Sequence, residues 1–248
     1  MKYPAGLGAA LAVMLTVMSA GGQAAAQPAP AKPNFKPLTL ASPALHLPPA
    51  AVATAAHCNP YAAMLAKGEA ANAANQYDAA LAIADGILKR APDDFQANFF
   101  KGKMLYLKAA ASDPNRWSPP LPLSATMAEG FDLLIKTAGR LPQIDQACVA
   151  STNPYSILNT IGAFYLNRGY FKEAQAYLLK AYGALDKVPT DSKRKICDNL
   201  GLVYLVQLQP DIASRYYTEA IRYGSKVGPA QIRKAQGLKT TFFALPAK

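Results

Sequence analysis

Two stretches decide the fold: LNTIGAFYLNRGYFKEAQAYLLKA at residues 158–181 and CDNLGLVYLVQLQPDIASRYYTEA at residues 197–220. Aligned on Gly162 and Gly201, they pair Ile161 with Leu200, Tyr165 with Tyr204, Ala174 with Ala213, Leu178 with Tyr217 and Ala181 with Ala220, every offset from the glycine being the same. Two small residues on facing helices let the backbones approach to about 8 Å, and larger side chains then fill the flanks. An Asn-Pro-Tyr tripeptide reinforces the register. It occurs at Asn59-Pro60-Tyr61 and Asn153-Pro154-Tyr155, its proline eight residues before Gly68 (68 − 60) and before Gly162 (162 − 154). Asn suits a helix N-cap and Pro the first helical position, so both tripeptides are read as helix starts.

The spaced glycine, tyrosine and alanine set resembles the tetratricopeptide repeat, a helix-turn-helix unit with small residues where its two helices touch. Weaker copies open at Gly68, which continues with Ala71, Ala80 and Pro92, and at Gly102 with Leu105; 102 − 68 gives the family's spacing of 34 residues. Gln76 to Leu81 reads as the turn into a second helix, Pro92-Asp93-Asp94 as a stop and a new cap, and Arg168-Gly169-Tyr170 as another turn. Residues 112–124 carry Pro114, Pro119, Pro120, Pro122 and the single Trp117, which marks an inserted loop, with a helix resuming from about Ala125 to Arg140. Between the third and fourth units the gap is 39 residues (201 − 162), the surplus falling in a loop at Lys187 to Asp191. The expectation is an all-α short solenoid of about four helix-turn-helix units over residues 58–228, closed by a capping helix and tail over residues 229–248.

Residues 1–26 have a basic start at Lys2, an apolar run from Leu7 to Met18 and the small-residue site Ala24-Ala25-Ala26, which reads as a secretory signal peptide; a retained membrane anchor is the alternative. Residues 27–57 form an extended arm, since Pro28 to Pro49 holds seven prolines. Leu38, Leu40, Leu45 and Leu47 would let the arm lie in a groove; otherwise it is a tether. Without Lys2 the charge is 25 − 15 = +10, and Lys193-Arg194-Lys195, Arg215, Arg222, Lys226, Arg233, Lys234 and Lys239 concentrate it near the C-terminus. Such a surface either meets an acidic partner or keeps a helical face solvated. Export makes nucleic acid the less suitable partner, and a membrane is expected only through association with an envelope complex.

Nothing in the chain reads as catalytic machinery. The two histidines, His46 and His57, stand in no nucleophile motif, and His57-Cys58 is the only adjacent pair of metal-ligand types around them. No catalytic residue, cofactor site or metal site is therefore assigned, and no enzyme is expected. Three cysteines in an exported chain suggest one disulfide and one thiol. The stacking that the resemblance implies brings the starts of the third and fourth first helices together, so the expected bridge is Cys148–Cys197, with three free buried thiols as the alternative.

The resemblance also implies a function. Repeats of this family bind extended peptides on the surface lined by the first helix of each unit, which here includes Phe99, Phe100, Lys103 and Tyr106, then Asn159, Ala163 and Asn167, then Lys195, Asn199 and Leu202. Asn can donate and accept for a peptide backbone, and Lys can pair with a carboxylate. Only Lys195 with Asn199 resembles part of the family's carboxylate-gripping set. Trp117 either anchors a partner or folds back on its own helices. The expectation is an exported, periplasmic or secreted protein-interaction scaffold in a bacterial cell-envelope or secretion assembly. The alternatives are a scaffold for an acidic polysaccharide or its export machinery, and an enzyme of unrecognised type.

Overall fold

The computed structural model describes residues 58–113 and 123–243. The expected signal peptide, the proline-rich arm, both histidines and Trp117 lie outside them. Among the described residues the chain is helical, with no strand: α1 Ala62–Ala73, α2 Tyr77–Leu88, α3 Phe95–Ser112, α4 Ala125–Ala138, α5 Val149–Thr152, α6 Ser156–Asn167, α7 Phe171–Tyr182, α8 Thr190–Val206, α9 Pro210–Arg222 and α10 Gly228–Phe243. Short 3₁₀ turns at Leu141–Gln143, Gln146–Cys148 and Leu185–Lys187 fill the longer connections. Helices pack mainly on their sequence neighbours, α1 on α2, α3 on α4, α6 on α7, α8 on α9 and α9 on α10, while α2 meets α3 and α7 meets α8. Among the described residues no helix is long and apolar enough to cross a membrane.

The glycine register governs these pairs. A Cβ on Gly162 would lie 2.6 Å from Leu178 Cγ and 3.3 Å from the Ala174 carbonyl oxygen, and one on Gly201 would lie 2.6 Å from Tyr217 Cε1. Both glycines therefore face the second helix of their own hairpin, as their spacing predicts. In α3 and α4 the same slots are filled after a 16-residue displacement. Gly130, Leu134 and Thr137 follow Gly102 by 28, 32 and 35 residues, where Ala174, Leu178 and Ala181 follow Gly162 by 12, 16 and 19. Gly102 and Gly130 form the closest crossing, a Cβ on Gly130 falling 2.8 Å from the Gly102 carbonyl oxygen. The first hairpin differs. A Cβ on Gly68 would lie 2.8 Å from the Phe100 ring of α3, and the slot of Leu178 holds the smaller Ala84.

Three hairpin turns share a backbone conformation as well. Asn75, Gly169 and Leu208 have φ of 59°, 80° and 58°, and each lies seven residues beyond its glycine, Gly68, Gly162 or Gly201. A left-handed residue there ends the first helix and satisfies its last carbonyls. At the equivalent Ala109, α3 instead runs on to Ser112, and the chain enters the proline-rich segment from a longer helix. Asp94 caps the start of α3 by accepting from Ala97 N at 2.7 Å, as the Pro92-Asp93-Asp94 sequence predicts.

One core runs through α3 to α10, including Phe131, Leu134, Ile157, Ile161, Leu178, Ile196, Leu200 and Tyr217. Each large apolar side chain buried there stabilises the fold by roughly 1.5–3 kcal/mol. A second, smaller cluster of Ala80, Ala84, Phe100 and Met104 joins the first hairpin to α3.

Two expectations are overturned. The asparagines of the Asn-Pro-Tyr tripeptides do not cap helices: backbone carbonyls of Asn59 and Asn153 accept from Ala62 N and Ser156 N at 3.1 Å, while Asn153 takes φ 46°. The proline-tyrosine step makes an extra turn before each helix, which carries the Asn side chain beyond reach of the first helical N–H groups. The disulfide is Cys58–Cys148 instead of Cys148–Cys197, and Cys197 is a free, buried thiol. The reason is the segment from Gln146 to Asn153, which crosses the starts of the first helices. Its Cys148 reaches Cys58, its Thr152 carbonyl accepts from Gln96 Nε2 at 3.0 Å, and Asn153 Nδ2 donates to Ser192 Oγ at 3.1 Å. Cys197 points into the core of α8 with 0% exposure. On the chain-entropy account, a bridge across 90 residues stabilises the fold by roughly 4–5 kcal/mol.

Candidate partner-binding face

The first helices α3, α6 and α8 carry the residues that the repeat pattern assigns to binding. Two of them are not available. Phe100 is buried in the small cluster under the first hairpin, and Tyr106 is buried with its ring stacked 3.6 Å from that of Phe164. Phe131 meets Tyr106 edge-on at 5.4 Å, so Tyr106 joins hairpins and does not await a partner. Burial pushes its phenol well above the usual tyrosine range, outweighing the nearby Arg168 and Asn167, which draw it down. The pattern of slots presumes uniform stacking, whereas Phe100 packs under the first hairpin and Tyr106 against α6.

The remaining residues keep some exposure, and Lys103, Asn159 and Asn199 are tied across adjacent helices. Phe99 is half-buried against the core. Lys103 Nζ lies 2.7 Å from Glu69 Oε1, joining α3 to α1, and Asn199 Nδ2 donates to Asn159 Oδ1 at 3.0 Å, joining α8 to α6. Glu69 and Lys103 each follow their glycine by one residue, so the same slot on two successive first helices holds opposite charges. Ala163 and Leu202 occupy that slot on α6 and α8 and are partly exposed. Asn167, at the end of α6, is exposed. Lys195 turns along its own helix to Asp191, which also binds Arg194 at 2.6 Å. Those hydrogen bonds from Lys195 and Arg194 hold the Asp191 carboxyl below its usual range. Lys195 and Asn199 are thus engaged with different neighbours and form no shared carboxylate grip.

Beyond the predicted residues, Glu69 and the Arg168–Asp113 pair were not singled out by sequence. Arg168 Nη1 lies 2.8 Å from Asp113 Oδ2 with the arginine side chain only 3% exposed, pinning the end of α3 to the end of α6. Glu69 was legible from its slot opposite Lys103; Arg168, sitting beside the turn glycine, carried no signal beyond its charge. A further buried network holds the base of α10: Asp198 accepts from Ser225 Oγ at 2.8 Å, and Ser225 Oγ accepts from Gly228 N at 3.2 Å. Burial raises the Asp198 carboxyl despite the opposing effects of Ser225 and Arg194.

The charge is unevenly shared. Residues 58–113 carry six basic and six acidic side chains, residues 123–189 six and five, and residues 190–248 ten and four, so the last segment alone supplies +6. Arg215, Arg222, Lys226, Arg233 and Lys234 are exposed there. Among the described residues no group of three or more His, Cys, Asp or Glu is placed to hold a metal ion. In comparisons with known proteins, no family model matches the chain and no curated protein matches it at a significant level.

Proposed function

We propose that the chain is an exported α-solenoid scaffold of tetratricopeptide type, without a catalytic role, that grips a protein or peptide segment on the face formed by α1, α3, α6 and α8. The observation that carries this reading is the shared register of four helix pairs, each with a glycine or alanine at the crossing and, in three of them, a left-handed residue seven positions later. A stack built on one repeat presents the same slot of successive first helices side by side, which suits an extended ligand. The Asn159–Asn199 pair spans two such helices with amide groups able to re-pair with a peptide backbone. A Cys58–Cys148 bridge agrees with a periplasmic or secreted destination and work in a cell-envelope assembly, since disulfides persist in oxidising compartments.

Affinity capture from envelope extracts tests the reading. The wild-type chain should retain a specific partner that Asn159→Ala/Asn199→Ala loses; equal retention by the double variant argues against the face. A second reading, attachment to an acidic polysaccharide, is favoured by the +6 concentrated after residue 190. It predicts polymer binding that falls steeply with salt and with Arg215→Glu/Arg222→Glu, while Asn159→Ala/Asn199→Ala leaves it unchanged.

A further inference from the structure

The first hairpin is joined to the rest of the chain by contacts of a different kind from those between the later hairpins. Its helices α1 and α2 bury only Gly68, Ala80, Ala84 and Ile87, and the cluster they share with α3 is separate from the main core. Helices of 12 residues are marginal on their own, and this pair has no side-chain cap at either N-terminus. Beyond that small cluster, what ties it down is polar and covalent. Glu69, Asp85 and Asp78 pair with Lys103 at 2.7 Å, Lys101 at 2.8 Å and Lys108, so three carboxylates of the hairpin meet three lysines of α3. The three carboxylates are exposed and the lysines at least partly so, which leaves the pairs weak and salt-screened. The fourth tie is the disulfide from Cys58, at the entrance of α1, to Cys148. Beneath the hairpin, α3 holds Phe100, Met104 and Leu107 as an apolar stripe flanked by those lysines.

We propose that the first hairpin is a releasable cover over α3, held shut by the Cys58–Cys148 bridge and by the three ion pairs. Release begins with a dithiol reductant. Its thiolate attacks the bridge at the partly exposed Cys58, the S–S bond breaks, two electrons pass to the bridge, and both cysteines end as thiols while the reductant leaves as its own disulfide. With the covalent tie gone, only a small apolar contact and three screened ion pairs oppose separation. The uncovered stripe of α3, apolar with a lysine border, suits an acidic amphipathic helix, the chemistry that the hairpin itself supplies in the closed state. This holds whether or not the first-helix face binds a peptide, because it rests on contacts within the chain.

Hydrogen exchange measured by mass spectrometry on the full chain tests it, with the bridge intact, after dithiothreitol, and in Cys58→Ser/Cys148→Ser, each at low and at molar salt. Opening should accelerate exchange in α1 and α2 on the order of 100-fold or more, further at high salt, with α6 to α9 unchanged. In the reduced protein Lys103→Glu should open the hairpin further and added Glu69→Lys should close it again. The proposal is overturned if α1 and α2 stay protected after reduction, if α6 to α9 accelerate equally, if the reduced chain loses its helical circular dichroism altogether, or if the two charge changes have no effect.

Discussion

Replacing Gly201 by Ala places a methyl group 2.6 Å from Tyr217 Cε1, 2.7 Å from Cδ1 and 2.8 Å from Cζ, against an ordinary contact of about 3.4–4 Å. The ring has to move by about 1 Å, yet it is 1% exposed and surrounded by core side chains, so the strain falls in the overpacking range of about 1–3 kcal/mol. Alanine in a helix interior recovers about 0.5–1 kcal/mol of the backbone entropy that glycine costs. The net loss is up to about 2.5 kcal/mol, which lowers Tm by up to roughly 10 °C for a chain of this size. Gly86 is the control. It also lies inside a helix, but nothing is within 4 Å of its added Cβ, so Gly86→Ala should gain about 0.5–1 kcal/mol. Urea unfolding of both variants followed by circular dichroism gives the two signs directly. In a Tyr217→Ala background the Gly201→Ala penalty should vanish, because the methyl then enters vacated space. If Gly201→Ala stabilises the protein as much as Gly86→Ala does, the close crossing of α8 and α9 is refuted.

The turn residues give a second pair of opposite signs. Gly169→Ala should cost about 1–2 kcal/mol because its φ is 80°, whereas Leu208→Gly relieves a branched side chain at φ 58° and should gain up to about 1 kcal/mol, both read from chemical denaturation. Burial pushes the Cys197 thiol up to about 12, so at pH 8 it should resist alkylation in the folded protein and react once guanidinium unfolds it; rapid labelling of the native state refutes its burial. Because the folded state keeps that proton while the unfolded state loses it near pH ~8.5, folding stability should fall as pH rises from there toward 12. Asp198 acts in the same sense at acid pH. Its raised folded value makes its contribution to stability decline as pH rises through the carboxylate range, and Asp198→Asn should remove that slope from a pH series of unfolding midpoints.

How far the fold was legible depends on how local the signal is. Gly162 with Ala174 and Gly201 with Ala213 announce close helix crossings because close approach demands small side chains at fixed offsets, and Arg168-Gly169-Tyr170 announces a turn, whereas the left-handed Leu208 carries no such signal. The matching set Gly130, Leu134 and Thr137 was hidden, since a 16-residue displacement removes them from any fixed spacing. The Cys58–Cys148 bridge was missed for a related reason: Val149–Thr152 is a single turn of helix with no periodicity to read, and its path alone decides which cysteine Cys148 meets. On the candidate face, the repeat pattern placed Lys103, Asn159 and Asn199 on facing first helices. It could not foresee that Tyr106 would stack on Phe164, because that contact depends on how two hairpins rotate about each other. Nor does the repeat pattern show that Lys195 turns to Asp191, one turn earlier on its own helix.

The most direct test of the account is site-specific photo-crosslinking, with a benzophenone amino acid placed in turn at Ala163 and Leu202 on the first helices and at Leu179 and Ile212 on the second. A partner-binding stack predicts one and the same adduct from positions 163 and 202, lost in Asn159→Ala/Asn199→Ala, and none from 179 or 212. Adducts confined to 179 and 212, or unaffected by the asparagine changes, would contradict it.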